Sequence, residues 1–150
     1  MAREQYQVTI SKPTAAVYHF IADGSNNPKW RHSVLTAALE SGEAGERGAE
    51  YSQAVRGPGG RSVAGHYRIT RADRYRELKF TVTAGLIRPE GTFLLEEIDS
   101  GTRVTFILEL ELVGLAQQMS GTITKQLKNE VESLRVLARV LERAEVTANV

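Results

Sequence analysis

The chain of 150 residues contains no cysteine, only three histidines and a single tryptophan. Without cysteine it can form no disulfide, no thiol nucleophile and no cysteine-ligated zinc site. The histidines, His19, His32 and His66, have no spacing that matches a metal-binding motif. We therefore expect no metal, and a chain without cysteine fits a cytoplasmic protein.

The chain also lacks an excess of charge of either sign and any long apolar run. The 19 basic and 18 acidic residues leave a net charge of +1, so no global field attracts nucleic acid or an anionic membrane. No apolar run approaches about 18 residues, and the amino terminus MAREQYQVTI lacks the apolar core of a signal peptide. We expect no nucleic-acid partner and no membrane span.

A glycine-rich phosphate loop is also missing, because the segment GPGGR lies between two predicted strands and does not open a helix. We therefore expect no nucleotide and no other cofactor. The length and the 41% hydrophobic composition are typical of one globular domain, which we expect to occupy residues 1–150.

Alternation and turn chemistry predict a strand, a helix and then more strands. Residues 5–10 alternate polar and apolar, and SKPTAAVYHFIAD follows with Ser11 as the expected N-cap and Pro13 in the first turn. Short turns then separate six strand-like segments, at roughly 34–40, 49–56, 62–71, 76–84, 90–98 and 102–111. Short connections favour antiparallel neighbours.

The register of the last predicted hairpin follows from the rule that directly opposed residues share a face of the sheet. A two-residue loop, at Asp99-Ser100 or Ser100-Gly101, places Phe93 and Phe106 on one apolar face. A one-residue slip would drive charged side chains into the core. The same alternation predicts further inward residues on the other strands, namely Tyr6, Val8, Ile10, Tyr51, Gln53, Val55, Val63, Gly65, Tyr67, Ile69, Leu78, Phe80 and Val82.

Beyond Gly114 the apolar period changes to 3.6 and continues to about Ala144. Eight residues fall within one stripe of this predicted helix: Met119, Ile123, Leu127, Val131, Leu134, Leu137, Ala138 and Leu141. The only large apolar partner for the stripe is the inner face of the sheet. We therefore expect an α+β fold in which a curved antiparallel sheet grips one long C-terminal helix.

These segments, in this order, resemble the START-like (SRPBCC) superfamily. The resemblance rests on SKPTAAVYHFIADGSNNPKW, on EEIDSGTRVTF and on the terminal helix LRVLARVLERA, and it spans nearly the whole chain. Within the superfamily the chain is most similar to the polyketide cyclase/dehydrase and lipid transport group. The resemblance implies the helix-grip fold, with seven strands around the C-terminal helix and two short helices between strands 1 and 2.

The resemblance also implies an internal cavity between sheet and helix, entered near the short helices and the loop AGLIRPEG. An empty void of ~300 Å³ would cost about 7 kcal/mol, so such a cavity should be occupied in use. We expect it to bind a hydrophobic small molecule: a lipid, an acyl chain or an aromatic polyketide. The expected ligand-binding residues are Trp30, Tyr51, Gln53, Tyr67, Phe80, Phe93, Phe106, Met119, Ile123, Leu127 and Glu130.

Three of these residues could instead take part in catalysis: Glu130, Tyr67 and Tyr51. Glu130 falls inside the apolar stripe, where it could orient a ligand or act as a base. The alternative is a side chain at the stripe's edge that reaches water or pairs with a lysine. Tyr51, Gln53 and Tyr67 could likewise be satisfied polar groups of the core.

The segment NNPKWRHSV carries the tryptophan, followed directly by an arginine and a histidine. Trp30 could wall the mouth of the cavity or anchor the short helix to the core. Arg31 and His32 do not share its helical face, so we expect both to be solvated. His66 should lie on the outer face of the sheet by parity. By this reasoning no arginine or histidine points inward.

The sequence leaves three functions open. The first is a carrier of a hydrophobic small molecule, and the second is an aromatase/cyclase or dehydratase. The scarcity of inward acid/base groups weighs against the enzyme. The third is a protein-interaction module with a collapsed cavity and an exposed apolar patch. The identity of the ligand and the oligomeric state do not follow from the sequence.

Overall fold

A computed structural model of the chain describes residues 1–85 and 87–148, excluding the side chains of Pro58 and residues 144–148. Within these residues the strands are β1 (Ala2–Ile10), β2 (Val34–Ser41), β3 (Glu50–Arg56), β4 (Ser62–Ala64), β5 (Tyr67–Asp73), β6 (Glu77–Val82), β7 (Glu90–Ile98) and β8 (Gly101–Leu110). The α-helices are α1 (Thr14–Ala22), α2 (Leu115–Gln118), α3 (Ser120–Glu132) and α4 (Leu134–Ala148). Two 3₁₀ segments complete the elements, Gly24–Lys29 and Pro58–Gly60.

The strands form one antiparallel sheet in the order β1-β8-β7-β6-β5-β3-β2, and β4 pairs with β3 beside this path. Helices α3 and α4 pack across β1, and α3 also reaches β8. Helix α1 and the first 3₁₀ helix connect β1 to β2. The structure confirms the predicted α+β helix-grip fold, with a seven-stranded path and two short helices after the first strand.

The β7–β8 hairpin has the predicted two-residue loop. Ile98 pairs with Gly101, so the loop consists of Asp99 and Ser100. Phe93 lies opposite Phe106, as parity requires for one shared apolar face. The register is therefore the one that keeps charged side chains out of the core.

The predicted strand 62–71 is broken at Gly65 and His66, which separate β4 from β5. Gly65 lies against β3 so closely that a Cβ there would meet Val55 Cγ1 at 2.8 Å. The Gln53 backbone N–H donates to His66 Nδ1 at 3.0 Å. This irregularity leaves Val63 exposed, so its predicted inward position is wrong. His66 is exposed, in agreement with its predicted outer position.

The N-cap of helix α1 lies two residues later than predicted. Pro13 occupies the N-cap position with extended backbone, and no side chain caps the helix. Ser11 is therefore not the N-cap. Hydrogen bonds to β8 fix this turn instead: the hydroxyls of Thr14 and Thr102 lie 3.1 Å apart, and Thr102 donates to the Lys12 carbonyl at 2.8 Å.

The C-terminal helix is divided at Met119 and Ser133 rather than continuous. The Ser133 hydroxyl donates to the Glu130 carbonyl, a local hydrogen bond that competes with regular helix geometry. Six residues of the predicted stripe are buried, namely Ile123, Leu127, Val131, Leu134, Leu137 and Leu141. Met119 is 55% exposed, so its predicted place on the buried stripe is wrong. It lies at the break between α2 and α3, where the helical phase is lost.

Among the described residues, no helix combines the length and the apolar character that crossing a membrane requires. The same residues contain no group of three histidine or carboxylate side chains placed to hold a metal ion.

Candidate functional site

Six aromatic rings form one continuous buried row across the inner face of the sheet. In order along the row they are Tyr51, Tyr67, Phe80, Phe93, Phe106 and Trp30. Tyr51 and Tyr67 stack with ring centroids 5.2 Å apart, and Phe93 and Phe106 stack at 4.3 Å. Trp30 meets Phe93 and Phe106 edge-on at 6.1 Å. Each strand that contributes a ring to the row does so from an inward-facing position, which is why alternation identified these residues.

Helix α3 closes the row from the other side. Ile123 and Leu127 are buried in the same core cluster as the six rings. Trp30 follows directly after the first 3₁₀ helix and is buried at the end of the row, the position of a core anchor. The structure therefore brings nearly all the predicted ligand-binding residues together, and Met119 is the residue that lies apart.

An ion pair joins the turn after the 3₁₀ helix to helix α3. The Arg31 guanidinium donates to Glu130 Oε2 through Nη2 at 2.9 Å and through Nε at 3.3 Å. The Arg31 and Glu130 side chains are only 11% and 15% exposed. The expectation that Arg31 is solvated is wrong. Glu130 pairs with an arginine rather than with a lysine or with water alone.

The same guanidinium lies over two rings of the aromatic row. Its central carbon is 5.8 Å from the Phe106 ring centroid and 5.9 Å from that of Trp30, within the range of cation–π attraction. Arg31 is thus an inward-facing cation, which the parity of the strands could not reveal because it lies outside any strand. The interior therefore carries a guanidinium and a carboxylate next to its largest rings.

A polar network adjoins the other end of the row. The Asn27 side-chain amide donates to Gln53 Oε1 at 2.8 Å and to the Tyr67 hydroxyl at 3.1 Å, and Gln53 Nε2 donates to the Gly65 carbonyl at 3.1 Å. Asn27, Gln53 and Tyr67 are all buried. Gln53 is thus a hydrogen-bonded core residue, and Asn27 is a site residue that the sequence did not reveal.

Three donors of the aromatic row have no acceptor among the described residues. The Trp30 indole N–H is buried without any partner. The Tyr67 hydroxyl accepts a hydrogen bond from Asn27 and the Tyr51 hydroxyl accepts one from the Gly45 N–H, but neither hydroxyl proton has a protein acceptor within the described part of the chain. An unmet buried donor costs about 1–3 kcal/mol, so an acceptor entering the interior would gain that energy.

Burial sets the protonation of the row's two tyrosines. Desolvation raises the pKa of the Tyr67 hydroxyl well above its ordinary value, against the smaller opposing effects of the Asn27 hydrogen bond and the Arg31 charge. Desolvation also raises the pKa of Tyr51, which accepts a hydrogen bond from the Gly45 N–H at 3.1 Å. Both hydroxyls therefore hold their protons at neutral pH and act as neutral groups.

These shifts predict how stability changes in alkali. A pKa that is higher in the folded state than in the unfolded state contributes stability that is complete below about pH 10 and is lost as the pH rises further. Ionisation of Tyr67, followed by tyrosinate absorbance, should therefore coincide with cooperative loss of circular dichroism. A Tyr67→Phe control should lose stability less steeply above pH 10. Ionisation of Tyr67 near pH 10 in a still folded protein would contradict this assignment.

Gly24 begins the 3₁₀ helix at a point where nothing larger fits. A Cβ there would lie 1.9 Å from the Tyr67 hydroxyl oxygen and 2.8 Å from Tyr51 Cδ1. Gly24→Ala should therefore lower the free energy of unfolding by about 1–3 kcal/mol in urea titration. Gly121→Ala is the matched control, because no atom lies within 4 Å of a Cβ on this helical residue. The control should gain about 0.5–1 kcal/mol; equal effects of the two substitutions would refute the close packing at Gly24.

Two cavities lie outside the aromatic row. One, of about 140 Å³, lies beside α1, and the other is a groove of about 740 Å³ between the β1–α1 connection and the β7–β8 hairpin. Neither is lined by a ring of the row. The expected cavity between sheet and C-terminal helix stays a prediction. Residue 86 of the expected entrance loop lies outside the described residues.

A sheet gripping its C-terminal helices over an aromatic interior defines the class of START-like proteins. The model of the family described as polyketide cyclase / dehydrase and lipid transport matches residues 1–142, and the chain belongs to this family. No curated protein matches the chain significantly.

Solved structures support the fold. A protein from Nitrosomonas europaea has a TM-score of 0.72 at 12% identity, with 97% of each chain covered. A START superfamily protein from Mycobacterium smegmatis has a TM-score of 0.70 at 12% identity, covering 94% of this chain and 99% of that one. A protein from Thermus thermophilus has a TM-score of 0.69 at 20% identity, covering 91% and 98%. At these identities the likeness extends to the fold alone.

Proposed function

We propose that the protein binds a hydrophobic small molecule that carries at least one oxygen acceptor, between the aromatic row and helix α3. The observation that carries this proposal is that two donors buried in the aromatic row, the Trp30 N–H and the Tyr67 O–H, have no acceptor among the described residues. A carbonyl or ether oxygen would satisfy either donor. Membership of a polyketide cyclase and lipid transport family supports this class of ligand.

The ligand we propose is flat or acyl in shape. The row offers ring faces and edges along its whole length, and aromatic or extended acyl groups fill such a surface well. The Arg31 guanidinium lies over Phe106 and Trp30, so its positive charge is close to the proposed ligand. This charge would favour a ligand whose oxygen carries partial negative charge. An oxygenated aromatic compound has an oxygen acceptor, a flat shape and partial negative charge on its oxygen.

Entry of this ligand requires movement, because the rings touch one another in the present conformation. The segment that joins β8 to α3 supports the proposal of a lid. Val113, Leu115 and Met119 are 70%, 77% and 55% exposed, and none of the residues of α2 is buried. Apolar side chains held in water on this connection would gain contacts by folding over a bound ligand. The Arg31–Glu130 pair is the polar contact that outward movement of α3 would break.

The single tryptophan provides the test. Titration with 2-naphthol and with a medium-chain fatty acid, followed by Trp30 fluorescence, should give a saturable change. Naphthalene serves as the matched ligand without oxygen. Tyr67→Phe should lower the affinity for 2-naphthol by about fivefold, which corresponds to the loss of one hydrogen bond. The affinity for naphthalene should not change. Tyr75→Phe, at an exposed tyrosine, is the control variant. The absence of any saturable signal would sink the proposal and favour the interaction module.

A second candidate is a cyclase or dehydratase, and the Arg31–Glu130 pair favours it specifically. An arginine beside the aromatic interior could stabilise an enolate, and a carboxylate at 2.9 Å from it could move a proton. The test is conversion of a linear poly-β-ketone substrate to a cyclic aromatic product, with loss of water. Product formation with a bell-shaped pH profile that disappears in Glu130→Gln supports the enzyme, whereas binding without turnover leaves the carrier.

A further inference from the structure

One of the two cavities outside the aromatic row lies beside helix α1. It measures about 140 Å³, several times the ~30 Å³ share of one water molecule in the liquid. The turn between β2 and β3 and the turn between β5 and β6 form its other walls. The lining residues that matter here are Tyr18, Ala22, Asp23, Glu46 and Arg74.

Tyr18 lines this cavity and carries a buried hydroxyl without a partner. Tyr18 is 2% exposed, and its hydroxyl has no hydrogen-bond partner within the described part of the chain. Its ring is held edge-on by Tyr75 at 5.5 Å. Desolvation, reinforced by the negative charge of Glu46, raises the pKa of Tyr18 to about 12. The hydroxyl therefore keeps its proton at neutral pH and requires an acceptor that the described residues do not supply.

The rim of the cavity carries charges of both signs. Arg74 pairs with Glu46 through one of its terminal nitrogens, which leaves further guanidinium N–H groups for an acceptor. Asp23 accepts two hydrogen bonds from Ser25, both on Oδ1, at 3.1 and 2.8 Å. Its Oδ2 is left for a donor, at the C-terminal end of α1, where the helix dipole favours a cation.

We propose that this cavity binds a small zwitterion of the amino-acid type. The carboxylate of the ligand accepts hydrogen bonds from the Tyr18 hydroxyl and the Arg74 guanidinium. Its ammonium group donates to Asp23 Oδ2 and to Glu46 at the negative end of α1. The Tyr18 hydroxyl and Asp23 Oδ2 thereby gain partners of the right sign, and the volume limits the ligand to a few heavy atoms. This proposal does not rest on the ligand proposed for the aromatic row.

Thermal denaturation with a small panel of compounds tests this site. Glycine, L-alanine and L-serine at about 100-fold excess over Kd should raise the Tm by about 9 °C. Acetate and methylammonium, each carrying half of the zwitterion, should raise it by less than a tenth as much. Equal shifts with acetate or methylammonium would overturn the proposal, as would no shift with any amino acid at millimolar concentration.

Tyr18→Phe separates a ligand from ordered water. Without ligand this variant should be as stable as the parent or more so, because it removes an unpartnered hydroxyl. It should bind L-alanine about tenfold more weakly, with Tyr6→Phe, on β1 and outside the lining of the cavity, as the control that binds normally. A loss of stability in Tyr18→Phe together with no amino-acid effect in the parent would mean that water alone fills the cavity, and would overturn the proposal. If Tyr18→Phe does not fold, Arg74→Gln at the exposed rim should show the same loss of affinity.

Discussion

Replacing Phe106 by alanine should lower the free energy of unfolding by about 3–5 kcal/mol, measured by urea denaturation. Phe106 is fully buried on β8 and touches Phe93, Phe80 and Trp30 in the aromatic row. Its removal leaves a void that the rigid sheet cannot close by collapse. It also removes the ring beneath the Arg31 guanidinium, at 5.8 Å, so the loss includes a cation–π contact.

The control for this substitution lies on the same sheet. Leu94→Ala shortens an exposed side chain on β7, next in sequence to Phe93, and should change stability by less than about 0.5 kcal/mol. Phe106→Leu should fall between the two variants. A loss below about 1 kcal/mol for Phe106→Ala would show that the interior already contains a cavity at this position.

Glu130→Leu should lower the free energy of unfolding by about 2–3 kcal/mol, because it leaves the Arg31 charge buried without its partner. The loss falls below the 3–5 kcal/mol of a fully buried pair because both side chains retain slight contact with water. The double variant Arg31→Met with Glu130→Leu should be more stable than Glu130→Leu alone, since no charge is then left unpaired.

An exposed ion pair on the adjoining helical turns provides the comparison. Glu132 lies 3.7 Å from Arg135, and the Arg135 side chain is largely exposed. Glu132→Leu should therefore cost no more than about 0.5 kcal/mol. If Glu130→Leu proved as mild as Glu132→Leu, the Arg31–Glu130 pair would have no structural role in closing the interior.

The sheet could be predicted because the alternation of apolar and polar residues depends only on positions close in sequence. Alternation needs only neighbours two positions apart, and it placed Tyr51, Tyr67, Phe80, Phe93 and Phe106 on the buried face. The β7–β8 loop followed from the same rule, since one register alone keeps the charged side chains outside. The helical stripe from Ile123 to Leu141 followed from the 3.6-residue period.

The polar part of the site was not predictable in the same way. Asn27 lies in a 3₁₀ helix and Arg31 in the turn after it, where no period assigns a face. Their partners are distant in sequence: Gln53 is 26 residues from Asn27, and Glu130 is 99 residues from Arg31. Glu130 stood out as a carboxylate on an apolar stripe, but only the tertiary structure identifies the charge that pairs with it. Met119 was misplaced because a break in the helix resets the phase.

Binding of an oxygenated hydrophobic molecule by the aromatic row can be tested by native mass spectrometry. The protein is purified from its own organism, and any compound that it releases on denaturation is identified. We expect a bound hydrophobic molecule with a carbonyl or hydroxyl oxygen, lost or weakened in Tyr67→Phe. A bare protein that also gains no thermal stability from lipids, quinones or aromatic polyketides would contradict the claim and point to a partner-binding protein instead.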